Sequence, residues 1–350
     1  MRLLWRYMKR LLLVVLICAV ALLAPIAYVE TACKGSAQVL PYKPVISAAY
    51  HRPETRTLMT YPEWDIVHAY EDYAHVLKTG DPHDFGYLRA VSGFWSSLCS
   101  LTSASAAHGD IDGPTKQMVY VIGVSFTAEL LLKAAYEETL GRLATLVRGD
   151  ERAALDDVSA AQAGRYAKFL QQVPWYKWPF QRDRAELHQK AGDSLRDRER
   201  RFALGVEYGV KAAYANVIND AVAQVGQDAL SLRMVVRDVD QAYLQNIESV
   251  SIIAEHAGGI ELEAPRYRAL TLLLQKLAQD GVNFVEIAGN DDIMFTVLSE
   301  TAEMDGAIYS TARQGRADHR HLILVKVSEL AGRLRAMAKN GQRLEHVHDY

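Results

Sequence analysis

The chain is poor in the residues that mark many familiar activities. Cysteine occurs 3 times in 350 residues, too rarely for a small disulfide scaffold. Cys18 lies in an apolar run, which leaves Cys33 and Cys99. An oxidising compartment would permit a bond between these two, but nothing in the sequence brings them within a disulfide's short reach. One buried thiol and one thiol beside a membrane is the alternative. No H-E-x-x-H, G-x-S-x-G, S-x-x-K, C-x-x-C, Walker A or G-x-G-x-x-G stretch occurs, which weakens the usual hydrolase, dithiol and nucleotide readings. A surplus of positive charge is also missing. Lys and Arg total 39 against 42 Asp and Glu, and Arg2, Arg6, Lys9 and Arg10 draw basic charge to the extreme N-terminus. The rest is mildly acidic, which argues against nucleic acid as a partner, since that needs a concentrated basic face. With 50% hydrophobic residues the chain is not disordered, and its length suits two domains besides a membrane segment.

The clearest positive signal is Leu11–Val29, an uncharged apolar run close to the length that crosses a bilayer. The basic cluster precedes it, and Trp5, Tyr7 and Tyr28 fall near the two expected interfaces. The positive-inside rule places the N-terminus in the cytoplasm and the bulk outside it. A cleaved signal peptide fits less well: cutting after Ala32 puts Glu30 at the −3 position, and cutting after Ala27 puts Pro25 there. Glu30-Thr31-Ala32 is likewise a poor lead-in to a lipidated Cys33.

Residues 1–30 are therefore expected to form leader and anchor, and 31–59 a linker with Pro41, Pro44 and Pro53. Helical patterning occupies 60–225. Thr60 and Glu63 predict a capping box, with Pro62 in the first turn. Asp81-Pro82 predicts a second start, with Phe85, Leu88, Val91, Trp95 and Leu98 on one face. Further helices are expected over 116–147, 151–172, 182–201 and 202–225. After Gly226 short runs rich in Val and Ile read as strands. Gly289-Asn290 suggests a hairpin between Asn283–Ile287 and Ile293–Leu298, and helices are expected over 267–279 and 328–339. The fold class is α+β and multidomain: a transmembrane helix, an all-α domain over 60–225, and an α+β domain over 228–350.

Two internal echoes stand out. Residues 274–287 align with 334–347, each a helix, a glycine (Gly281, Gly341) and a strand, and each preceded by another strand. Tandem β-α-β units of this kind predict a ferredoxin-like core with added strands. In the helical half, Glu129-Leu-Leu-Leu-Lys133-Ala-Ala-Tyr136 resembles Glu207-Tyr-Gly-Val-Lys211-Ala-Ala-Tyr214, each with Glu four residues before Lys.

The best constellation for chemistry is Asp65, His68, Asp72 and His75. Their 3-4-3 spacing puts them on one helical face. Carboxylate and histidine three apart can share a metal, with Glu129 and Glu207 as further ligands; an ordinary solvated face is the plainer reading. A second set is His319, His321, His346 and His348, two alternating strand pairs that would bind Zn or Cu if their strands lay close. Trp175, Tyr176, Trp178 and Phe180 suit either a membrane interface or a plug at the end of a helical bundle. Short basic leader and Arg- and Ala-rich body read as bacterial. The expectation is a non-catalytic scaffold, accessory or ligand-binding protein of a bacterial envelope system. It is held in the inner membrane by residues 11–29, carries no cofactor, and serves a protein partner in the periplasm. The alternatives are an enzyme dependent on a transition metal and a lipid-handling protein that seats residues 118–136 and the Trp-rich segment against the bilayer.

Overall fold

The computed structural model describes residues 2–36, 42–225 and 230–349, so the expected domain boundary at Gly226 falls outside the described residues. A single helix, α1 (Arg2–Ala32), runs through the apolar stretch and contains Pro25. The helical part continues with α2 (Glu54–Thr60), α3 (Pro62–Val76), α4 (Tyr87–Ser105), α5 (Gly113–Tyr136), α6 (Arg142–Arg148), α7 (Ala154–Leu170), α8 (Phe180–Lys190) and α9 (Leu195–Val225). Several starts differ from expectation. Thr60 closes α2 and bonds back to the Thr57 carbonyl, so it does not cap α3. Asp81 and Pro82 open a single 3-10 turn, and α4 begins only at Tyr87. Asp112 caps α5 by accepting the Thr115 amide at 2.8 Å, so that helix starts three residues before Lys116. A π turn over Glu137–Gly141 joins α5 to α6 without a break. The charged stretch over 182–201 is shared between α8 and α9, with the gap after Lys190.

The second part is mixed helix and sheet, in agreement with the α+β class. Its elements are β1 (Ser231–Arg237), α10 (Gln241–Gln245), β2 (Ser251–His256), β3 (Gly259–Pro265), α11 (Tyr267–Gln279), β4 (Asn283–Ile287), β5 (Asp292–Ser299), β6 (Ala307–Ala312), β7 (His319–Lys326), α12 (Val327–Met337) and β8 (Arg343–His348). They form two antiparallel sheets of four strands, in the orders β2-β3-β1-β4 and β6-β7-β5-β8. The β-α-β echoes therefore do not share one sheet; each is completed by strands of its own. The irregularities repeat as well. The β1–β4 ladder slips past Val285 and the β5–β8 ladder past Glu345, the matching residue at an offset of 60. The expected hairpin at Gly289-Asn290 is instead the joint between the sheets. Ala288 and Gly289 both have positive φ, as a tight turn requires, yet only Ile287 and Asn290 bridge across it before the strands diverge.

Helix α11 lies along the edge of β8, where Thr271 Oγ1 accepts the Val347 amide at 3.0 Å, and α12 packs reciprocally on β4. One apolar core spans both units, with Met234, Leu262 and Phe284 from the first and Phe295, Val297 and Val347 from the second. Strand alternation gives the second sheet a different outer face: Met294 and Leu322 join Phe94, Leu98 and Leu101 in the core of the helical part. The second sheet is thus sandwiched between α11–α12 and the helices.

The expected linker is partly built. Tyr42 Oη and the amides of Val45 and Ile46 donate to the buried Glu286 carboxylate at 2.7, 2.6 and 3.1 Å. Asn290 Nδ2 donates to the Arg52 carbonyl. Residues 42–53 form a strap across the first unit and the joint. Cys33 and Cys99 are disulfide-bonded with Cα atoms 5.0 Å apart, tying the end of α1 to α4.

Candidate functional site

The polar face of α3 meets the outer face of the second sheet, and this seam brings buried histidines, carboxylates and arginines together. Acidic residues Glu63 and Asp65 suit the first turn of α3, Pro62 starts it, and His75 suits its last. The face carrying Asp65, His68, Asp72 and His75 is not solvated as the plainer reading had it. His68 and Asp72 are buried, because β7, β8 and the β6–β7 turn cover them. Ser97 Oγ donates to Asp65. The Gln314 amide donates to Asp72 Oδ2 at 2.9 Å. Gly315, at φ 72°, passes so close to His75 that a Cβ there would stand 3.0 Å from the ring. The four residues share a face but meet different partners along it.

His68 instead converges with Glu71 and Glu345, each offering a ligand atom within 4.8 Å of the others. Its Nε2 is 3.7 Å from Glu345 Oε2. Glu345 occupies the slipped position of β8, and a bulge of that kind re-aims a side chain. Arg320 grips it through two bonds of 2.6 and 2.7 Å. Glu71 accepts from Arg313 at 2.8 Å and Arg316 at 3.3 Å. Beside this network Trp64 stacks on His346 with centroids 3.9 Å apart, and Tyr61 meets His348 edge-on at 4.8 Å. Both ring nitrogens of His68 and of His348, and Nε2 of His346, lack a hydrogen-bond partner among the described residues.

Burial sets the protonation here. It pushes Asp65 up to about 7 and Asp72 up to about 6, against the pull of nearby donors and arginines. It lowers His346 to about 3 and holds His68 and His348 well below the usual imidazole range. Burial would raise Glu345 too, but the Arg320 charge overcomes it and keeps that carboxyl ionised and well below normal. The seam is thus an ion-paired strip of Glu71, Glu345 and three arginines flanked by neutral imidazoles.

The other expected ligands lie elsewhere. Glu129 and Glu207 do not complete a shell with α3; they stand behind Tyr70, on the far side of that helix. There the two Glu-Lys echoes face each other. Lys211 reaches Glu129 at 2.8 Å and Glu207 at 3.0 Å, and Lys133 reaches Glu207 at 2.9 Å but its own-turn Glu129 only at 3.9 Å. Burial opposes all four charges, yet mutual attraction lowers both glutamates and raises both lysines, so the quartet is ionised and neutral overall. His319 and His321 do not join His346 and His348. β5 separates their strands, and His321 pairs with Val297 on one face while His346 pairs with Thr296 on the other. His321 is occupied by the Ser299 and Ser310 hydroxyls. Trp178 and Phe180 are buried with Tyr70 and Tyr166 as a plug of the bundle, while Trp175 and Tyr176 are half-buried; only these two are open to an interface role.

Sequence reading missed Trp64, Glu71, Arg313, Arg320 and Glu345. For Arg320 a signal existed. If His319 and His321 share one strand face, the residue between them must point to the other, which here is the helical side. Nothing comparable flags Glu345, whose aim depends on the slipped ladder. No protein-family model, curated protein or solved structure matches the chain, so the site rests on its own geometry.

Proposed function

We propose that the chain is a single-pass protein of the bacterial inner membrane, anchored by residues 11–29, with its N-terminus cytoplasmic and its bulk in the periplasm. It serves there as a non-catalytic scaffold, accessory or ligand-binding protein of an envelope system. The observation that carries this is the Cys33–Cys99 bond directly after α1. Disulfides persist in oxidising compartments, and a basic leader leading into an apolar helix delivers the rest of the chain to one. The side chains described on α1 agree, with Leu12, Leu16, Val20 and Leu23 all exposed. The seam favours a structural joint over catalysis, since Arg320 and Arg313 already occupy its carboxylates. We read each β-(α)-β-β-α-β unit as ferredoxin-like, because both sheets have that fold's strand order. The first unit is the recognition surface in this reading. Its edge strand β2 alternates exposed and half-buried residues, an arrangement a partner strand can extend. Thiol alkylation of the full chain tests the compartment. Under denaturing, non-reducing conditions Cys33 and Cys99 should stay unmodified and then react after reduction. Free thiols at both positions in protein taken directly from cells would sink the periplasmic assignment.

A metal centre is the second reading, and one observation favours it: His68 is buried beside two carboxylates with no hydrogen bond to either ring nitrogen among the described residues. Imidazole and carboxylate suit Zn, Mn or Fe, and His68, Glu71 and Glu345 would hold the ion. It would have to displace Arg320 and Arg313. Elemental analysis of the full chain decides: about one equivalent of metal per chain, lost in His68→Ala, favours the centre, and metal-free folded protein favours the joint.

A further inference from the structure

Helices α5 and α9 run antiparallel, as their ion pairs show: Lys211 with Glu129, Lys133 with Glu207, Arg200 with Glu137. Their polarity is inverted. The charges of both echoes point into the seam between the helices, while the outward faces carry Val121 and Leu132 on α5 and Phe202, Val206, Val210 and Val217 on α9, each more than half exposed. A helix pair surrounded by water puts its charges outward; one that meets hydrocarbon keeps them inside and mutually neutralised. The helix Gly113–Arg148 is long and apolar enough to cross a membrane. Crossing is ruled out here by the charged α7 and α8, which cover the other flank of α9, so the pair must lie along a surface.

We propose that this face rests on the bilayer surface, its apolar side chains entering the headgroup–acyl boundary of anionic phospholipid. The inference rests on the membrane-anchored reading above. Continuity with the anchor selects lipid as the occupant. Val29 and Cys33 are buried against the helical core, and Glu30 at the end of α1 bonds Lys116 and Tyr120 in the opening turns of α5. The bilayer entered by α1 therefore begins beside this face. Its rim has headgroup chemistry: Trp175 contacts Tyr214 of α9 at 5.4 Å, Lys177 is exposed, and the Arg184 guanidinium flanks Gly209. From Phe202 to Val217 the face is about 22 Å long at the rise of an α-helix, enough for an in-plane helix to sink part of its girth into the interface.

The test is photo-crosslinking of the full chain in vesicles of phosphatidylethanolamine and phosphatidylglycerol. p-Benzoylphenylalanine would replace Val206 or Val210, with Val20 of α1 as anchor control and the exposed Glu248 as aqueous control. The expected result is a mass gain of one phospholipid at Val206, Val210 and Val20 and none at Glu248. A lipid adduct at Val20 alone overturns the surface contact and leaves the anchor standing. Absence of lipid at Val20 as well overturns the anchor and this inference with it. Chain-to-chain adducts at Val206 and Val210 would show that a second copy, not lipid, covers the face. Using two exposed positions separates a local misfit from a genuine negative.

Discussion

His348 is enclosed by Tyr61, Trp64 and His346, with His68 and Arg320 close enough to disfavour its protonation. Its folded pKa lies below the ordinary imidazole value near 6.5, so as pH falls through about 6.5 the unfolded chain takes up protons first. The stability contributed by neutral His348 is thus complete above that pH and is lost as pH falls. His68 and His346 act in the same direction. Asp65 and Asp72 oppose them: with pKa values raised to about 7 and about 6, they add stability as pH drops toward the ordinary carboxyl range. Replacing His348 by Phe removes one group from the first set and none from the second. The stability lost between about pH 7.5 and pH 5 should shrink in His348→Phe by up to about 2 kcal/mol, the most that one imidazole with an ordinary unfolded pKa contributes over that interval. Denaturant unfolding followed by tryptophan fluorescence reads it, and identical pH dependence in the two proteins would contradict a neutral, buried His348.

The strap over residues 42–53 owes its position largely to one carboxylate on β4. Glu286 is fully buried and accepts three hydrogen bonds from Tyr42, Val45 and Ile46. In Glu286→Ala those donors lose their acceptor, and a net loss of about 1–2 kcal/mol should raise strap opening about tenfold. Limited proteolysis should then cut near residues 42–52 while the sheet core survives; an unchanged cleavage rate would mean the strap is held by Asn290 and His51 instead. That such a segment read as a linker has a physical cause. Its order comes from main-chain amides finding a carboxylate 240 residues away, and no local periodicity reports such a contact. Periodicity served well where burial is one-sided. Tyr267–Gln279 agrees to the residue with the helix expected from its leucines. It failed for β6, which is half-buried up to an exposed Ala312 and so shows no alternation, and at Thr60, where a capping pattern was overridden by a helix already under way. The metal-type spacing on α3 was legible as one face, but of the two carboxylates His68 meets, Glu71 stands on α3 itself and Glu345 comes from β8, where a ladder slip decides which side chain turns inward.

At the scale of the whole molecule, two sheets of equivalent strand order differ in what covers them. The outer face of the second is covered by the helical part, and that of the first is crossed by a strap. The repeat was visible in the sequence as a 60-residue offset, yet its strand order was not, because the helix-glycine-strand echo says nothing about which strands flank it. The Cys33–Cys99 bond adds a mechanical consequence. It encloses the strap and α3 in a closed covalent loop with a sequence separation of 66, while Leu101, which also packs against the second sheet, lies outside it. Tension arriving along α1 passes across the sulfur bridge into α4 and bypasses everything between. If α1 is the anchor proposed above, the strap and the seam are slack members under such a load. Reduction would turn them into the load path.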